Sequence, residues 1–241
     1  MSSCALRALA VAGLAAFASS AQGVIVLGNT DTSPLSTILG ANNPDHQIRV
    51  NDKLFTFISW TSVVFPTSLV TIGGYISSNP LLGTGFDIFG GFADVTPGDT
   101  TISEFNLRYT VEITPDFIAQ GYRIVDSELT FNGNATGPGS YARVDESILN
   151  FNAAPGQNLV TTSSVAVFGS NPQANILQDH KVFGPPGYIK LEVNKDVQFF
   201  TNTTGGTSTA SFVRQSFSQI PSPGGAALIG LAGLLVARRR R

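Results

Sequence analysis

The sequence predicts an all-β fold, a single β-sandwich or jelly roll, and three observations predict it. Apolar residues alternate with polar ones at a period of two, the spacing of a strand with one buried face. The apolar segments are short, and clusters of Gly, Pro, Asn and Asp separate them and supply turn geometry. No long segment carries apolar residues at helical spacing, and no fixed-period repeat points to a propeller or β-helix.

The strands follow in chain order. Residues Gly23 to Leu27, Gln47 to Asn51 and Lys53 to Phe65 open the body. In the third, Leu54, Ile58, Trp60 and Val64 share one parity, and Phe55, Phe57, Val63 and Phe65 share the other. Apolar residues on both parities predict a central strand covered on both faces, with Trp60 in the core. Ser68 to Ile76 and Phe86 to Val95 come next, then the clearest strand, Glu104 to Thr114. There Phe105, Leu107, Tyr109, Val111 and Ile113 alternate with Asn106, Arg108, Thr110 and Glu112. Tyr122 to Phe131, Tyr141 to Phe151 and Leu159 to Phe168 follow.

Tyr188 to Phe199 repeats the alternation through Ile189, Leu191, Val193, Val197 and Phe199. Lys195 falls on the apolar parity, which predicts a bulge or a sheet edge there. Ser208 to Ser218 closes the body, after a Thr- and Gly-rich segment, Thr201 to Thr209, expected to be a hairpin loop. Ser33-Pro34, Thr114-Pro115 and Asn171-Pro172 each set a capping residue before a proline, the start of a short helical turn, with Gly40 and Gly121 ending the first two.

The formal charge of −2 is a sum of unlike parts. Arg7 and the run Arg238, Arg239, Arg240 and Arg241 lie at the ends, leaving nine basic residues against all 16 acidic ones in the body, a charge of −7. A surface of that sign repels polyanions and disfavours nucleic-acid binding. Charged residues make up 12% of the chain, about half the usual ~25%, but 42% is hydrophobic and 17 residues are Phe, which argues for a packed core over disorder.

Both ends look like processing segments. Residues 1–21 combine Arg7, an apolar run from Ala8 to Ala18, and small residues Ser19 and Ala21 at the −3 and −1 positions, the order of a secretory signal peptide cleaved after Ala21. The only cysteine, Cys4, is removed with it, so disulfides, thiolate nucleophiles and cysteine-held metals drop out together. The body is expected to span residues 22–219, with Ser218 to Gly225 as a linker.

Residues 220–241 form a tail with a Pro-Ser-Pro motif in 220–225, an apolar segment in 226–237 and the arginines in 238–241. Its 14 small and apolar residues from Gly224 give a transmembrane helix of roughly 21 Å, short of the ~30 Å hydrocarbon core, that local thinning and arginine snorkelling would accommodate. The arginines make a cytoplasmic stop.

This three-part tail resembles the PEP-CTERM sorting domain, also labelled an ice-binding protein C-terminal domain, with the motif on Pro221, Ser222 and Pro223. The family's usual glutamate is replaced by Ser222. The resemblance implies export in a Gram-negative bacterium, recognition by an exosortase, a membrane-embedded processing enzyme, and either anchoring in the cell envelope or release into an extracellular polysaccharide matrix. It concerns the tail and assigns no activity to the body.

The body offers little catalytic chemistry. The nucleophile elbow, the phosphate-binding Walker loop, His-Glu-x-x-His and the EF-hand loop are all absent, and His46 and His180 stand far apart, each expected in a surface loop. Asp126 and Glu128 share one strand face at roughly 7 Å, a spacing to check for glycoside hydrolysis, although that face is the solvated one. Asp94 and Asp99 are weak calcium candidates whose turn-rich setting explains them without a metal. Tyr122, Tyr141 and Tyr188 begin strands, where a sandwich gathers its loops, and are candidates for a glycan-binding rim.

The resulting expectation is an exported, non-enzymatic, structural or adhesive domain without a cofactor, partnered by exopolysaccharide or matrix proteins. A carbohydrate-binding module is the alternative, and a secreted polysaccharide hydrolase the weaker one.

Overall fold

Along Ser103–Ile113, Phe105, Leu107, Tyr109, Val111 and Ile113 are buried while Glu104, Asn106 and Arg108 face solvent, so the period of two in the sequence is the period of burial in space. The structure, a computed structural model, describes residues 23–78, 83–95, 101–154, 156–202 and 205–221. The signal segment with Ala21, the residues Asp99, Ser222 and Pro223, the apolar segment 226–237 and Arg238 to Arg241 lie outside them.

The strands are β1 (Ile25–Val26), β2 (Thr32–Pro34), β3 (Gln47–Val50), β4 (Lys53–Ser62), β5 (Thr71–Ile76) and β6 (Thr84–Asp94). After them come β7 (Ser103–Ile113), β8 (Tyr122–Ile124), β9 (Asp126–Phe131), β10 (Asn134–Thr136) and β11 (Tyr141–Asn150). The last five are β12 (Leu159–Phe168), β13 (Gln178–Val182), β14 (Lys190–Phe200), β15 (Thr207–Phe217) and β16 (Gln219–Pro221). Two short helices, α1 (Leu35–Ile38) and α2 (Pro115–Ala119), sit in connections.

One seven-stranded sheet has the order β1-β3-β4-β7-β14-β11-β12, antiparallel except between β1 and β3. The facing sheet runs β13-β9-β15-β6-β5-β2, with β10 also on β15, and β8 pairs with β16 in a two-stranded sheet. The inner faces interdigitate through aromatic rings, as expected of a sandwich. Phe55 and Tyr109 from the first sheet meet Phe86 of the second at centroid distances of 5.0 and 5.1 Å, and Phe105 meets Phe92 at 4.9 Å. The high Phe content therefore fills the space between two sheets, each fully buried ring contributing roughly 2–3 kcal/mol of transfer free energy.

Four expectations are corrected. Lys195 is neither bulge nor edge: it lies in unbroken register on a central strand, paired to Leu107 and Glu146, and points inward, where Glu146 and Gln215 accept from its amine. The double parity of β4 comes from a register shift between Phe57 and Ser59, not from two covered faces. Phe55 and Phe57 point inward before the shift, Trp60 stacks on Phe105 at 4.4 Å after it, and the extra residue Ile58 is exposed. The strands on either side of Thr201 to Thr209 form no hairpin, since β14 and β15 belong to different sheets. Ser218 to Pro221 belong to the body: Ser218 is buried against Asp126, and Pro221 pairs with Tyr122.

The helical turns begin close to their prolines. Thr114 precedes α2, whose first residue is Pro115, and Gly121 follows at φ +81°, a conformation that glycine adopts without strain. The first turn begins one residue later than its cap pattern suggests, at Leu35, because Ser33 and Pro34 are drawn into β2. Among the described residues no helix is long and apolar enough to cross a membrane.

Candidate functional site

Antiparallel partners share a face, so the register of the seven-stranded sheet fixes what its outer surface presents. One rung runs Ser59, Arg108, Asn194, Ser147 and Thr162; the next runs Thr61, Asn106, Asp196, Asp145 and Ser164. A third carries Glu104, Gln198 and Arg143, and the last sets Phe200, Tyr141 and Phe168 side by side. The first two rungs border a groove of about 460 Å³ lined by Asn106, Arg108, Asp145, Ser147, Asn194 and Asp196.

The polar side chains hold one another in place. Arg108 Nε donates to Glu192 Oε1 at 2.7 Å, a contact that raises the guanidinium pKa. Arg143 grips both oxygens of Asp145, and Gln198 Nε2 donates to Asp196 Oδ2 at 2.7 Å. Asp196 Oδ1 has no partner among the described residues. Burial raises the Asp196 carboxyl, and neighbouring Asp145 adds to this, while the Gln198 bond and Arg143 oppose it. Fixed planar donors and acceptors of this kind suit a ligand rich in hydroxyls.

Beside them the Tyr141 and Phe200 ring centroids lie 5.5 Å apart. Both rings are half-buried, Phe168 beside them is exposed, and no cation lies over the first two among the described residues. Burial raises the Tyr141 phenol, with Arg143 opposing and the carboxylates of Asp196 and Glu104 adding to the rise.

The predicted rim is thus not assembled as one surface. Tyr141 pairs with Phe200 at one end of β14, whereas Tyr188 precedes the other end. Tyr188 packs edge-on to Phe183 at 5.7 Å, and Tyr122 packs on Phe117 at 5.4 Å, so these two rings serve the core margin. Phe200 and Phe168 were missed, although Phe168 closes a strand that the alternation marks and Phe200 follows directly on another.

Asp94, Asp126, Glu128 and His180 are engaged by their neighbours. Asp94 is buried and accepts the Thr201 amide N–H at 3.0 Å. Among the described residues no group of three or more metal-ligating side chains is found. Asp126 accepts from Ser218 N and Oγ at 2.9 and 2.6 Å and faces His180 Nε2 at 3.4 Å. The carboxylate stands between the serine and the histidine. His180 lies on strand β13, not in a loop, and Glu128 is bonded by Gln178.

The structure instead brings Asp145 and Asp196 together as cross-strand partners. Both project side by side from one open face, and Arg143 holds both oxygens of Asp145.

A second cleft of about 380 Å³ lies on the outer face of the other sheet, lined by Thr32, Gly73, Tyr75, Asp87, Phe89 and Arg214. Its groups are spent on each other. Arg214 donates to both oxygens of Asp87 at 2.7 and 2.9 Å, and its guanidinium covers the Tyr75 ring at 3.8 Å.

No protein-family model matches the chain, and no curated protein matches it. Among solved structures it is similar to a carbohydrate-binding module, TmCBM61, in complex with β-1,4-galactotriose, with 8% identity, a TM-score of 0.32, and coverage of 68% of this chain and 88% of that one. It is also similar to the mannan-recognising module TmCBM27, with 11% identity, a TM-score of 0.30, and coverage of 77% and 95%. An arabinose-bound α-L-arabinofuranosidase aligns at 13% identity and a TM-score of 0.27, over 69% of this chain and 23% of that one. The likenesses are loose, and the assignment of a β-sandwich rests on the strand pairing.

Proposed function

We propose that the β-sandwich is an exported, non-catalytic carbohydrate-binding domain that holds a neutral extracellular polysaccharide along the outer face of its seven-stranded sheet. The observation that carries this is the Tyr141–Phe200 pair at the end of the polar rungs. A sugar ring has an apolar face that stacks on an aromatic ring and a rim of hydroxyls that needs planar donors and acceptors. Asn106, Asn194 and Gln198 supply those, and the bond from Gln198 to Asp196 fixes one of them and so reduces the ordering cost on binding.

Export through residues 1–21 and sorting through 220–241 by an exosortase-type enzyme complete the proposal, which gives a structural or adhesive role in a surface matrix its molecular contact. The experiment is calorimetric titration of the full chain with neutral oligosaccharides from several polysaccharides, with product analysis on the same samples. Saturable binding without shortened products is expected. Absence of binding to every member contradicts the proposal, and released sugars contradict its non-catalytic part.

A further inference from the structure

Between the sheets lies a polar cluster that the outer groove does not use. Lys195 on β14 and Glu146 on β11 are cross-strand partners, and both side chains are fully buried. Lys195 Nζ donates to Glu146 Oε2 at 2.6 Å and, across the interior, to Gln215 Oε1 on β15 at 2.9 Å. Gln215 is buried too, paired in its own sheet to Phe86 and Leu129. An amine, a carboxyl and a primary amide thus meet in a space walled by aromatic and aliphatic side chains.

As a static ion pair this cluster is poorly satisfied. Glu146 Oε1, Gln215 Nε2 and the Tyr109 hydroxyl have no hydrogen-bond partner among the described residues, and such buried orphans are costly. The same three atoms make sense as the surroundings of a reaction.

We propose that Lys195 and Gln215 become joined by an intramolecular amide bond, formed within the folded core with Glu146 carrying the proton. Burial pulls the Lys195 amine below its ordinary range against the opposing pull of Glu146, which favours the uncharged amine as a nucleophile. With the proton on Glu146, the Nζ lone pair attacks Gln215 Cδ, and the Nζ–Cδ bond forms. Glu146 gives its proton to the departing nitrogen and takes one from Nζ, the Cδ–Nε2 bond breaks, and ammonia leaves. Glu146 ends in the state in which it began, no redox partner is needed, and one amide replaces another. The reacting groups are held in contact by folding itself, which supplies the proximity that the step needs.

The bond would join the two sheets covalently in a domain whose described residues contain no cysteine. Lys53 also donates to a carboxylate and a glutamine, Asp52 at 2.6 Å and Gln219 at 3.0 Å, but Gln219 is only half-buried and borders a cleft where water competes. The proposal is therefore confined to Lys195.

The test is fragmentation mass spectrometry of proteolytic peptides from the folded full chain. A branched peptide containing Lys195 and Gln215 is expected, about 17 Da, one ammonia, lighter than its two arms together. Glu146→Gln is expected to lose the branched peptide and to return Lys195 to proteolytic cleavage. Linear peptides separated at Lys195 and Gln215 in folded wild-type protein overturn the proposal, whether or not the variant folds.

Discussion

Tyr141 and Phe200, on paired strands, place their rings 5.5 Å apart at the end of a face whose other rungs are polar. The pair shares its outer face with the groove bordered by Asn106, Asn194, Asp145 and Asp196, and the rung of Glu104, Gln198 and Arg143 lies between them.

Phe86 tests the core. It touches Phe55, Phe57 and Tyr109 from the opposite sheet and is fully buried. Phe86→Ala is expected to cost about 3–5 kcal/mol, read as a lower urea midpoint, because the ring's neighbours belong to two sheets and cannot both collapse into the void.

Gly85 tests the closeness of β6 and β15. A Cβ there would overlap the Gln215 carbonyl oxygen, which belongs to the backbone of a central strand. Gly85→Ala is expected to destabilise by about 1–3 kcal/mol, whereas Gly156→Ala, with open space but φ of +84°, should cost only backbone strain of about 1 kcal/mol. Equal losses in chemical denaturation would contradict the packing.

Asp196 and Asp179 should act oppositely with pH. The Asp196 carboxyl is raised by burial, so its ionisation opposes folding as pH rises from the unfolded value of about 3.9 through the folded one. Asp196→Asn is therefore expected to be more stable than wild type at pH 7, with the gain vanishing below about pH 3.9.

Burial also raises the Asp179 carboxyl, but the Ser164 N–H, Lys181 and the Ser163 hydroxyl outweigh it and hold it below its ordinary value. Its contribution is present above about pH 3.9 and lost as pH falls through the folded value, so Asp179→Asn should lose stability at pH 7 and show a shallower acid transition. Parallel unfolding curves for wild type and variant across pH 2 to 7 would contradict this. The bonds tie β13 in one sheet to β12 in the other, so the loss should appear as sheet separation at that edge.

The legibility of this fold in its sequence followed the alternation. Strands such as β7, with one clean apolar parity, were found within a residue or so. Strand β13, Gln-Asp-His-Lys-Val, was missed because its half-buried parity is Asp179 and Lys181, so this edge strand carries no apolar period. A bulge reverses parity without changing composition, which is why β4 looked covered on both faces. Lys195 looked like a break because its partners, Glu146 and Gln215, come from strands far away in sequence. The aromatic platform was half legible. Tyr141 was singled out, while Phe200 and Phe168 join it only through a register that no local pattern specifies.

Tyr141 sits on the outer face beside Phe200, and Tyr188 sits at the other end of β14 against Phe183. The decisive measurement is the dissociation constant of folded Tyr141→Ala and Tyr188→Ala full chains for the neutral oligosaccharide that wild type binds best. Loss of roughly tenfold, about 1.4 kcal/mol, is predicted for Tyr141→Ala and no change for Tyr188→Ala. Undiminished binding by Tyr141→Ala, or a loss confined to Tyr188→Ala, would contradict the placement of the site on this face.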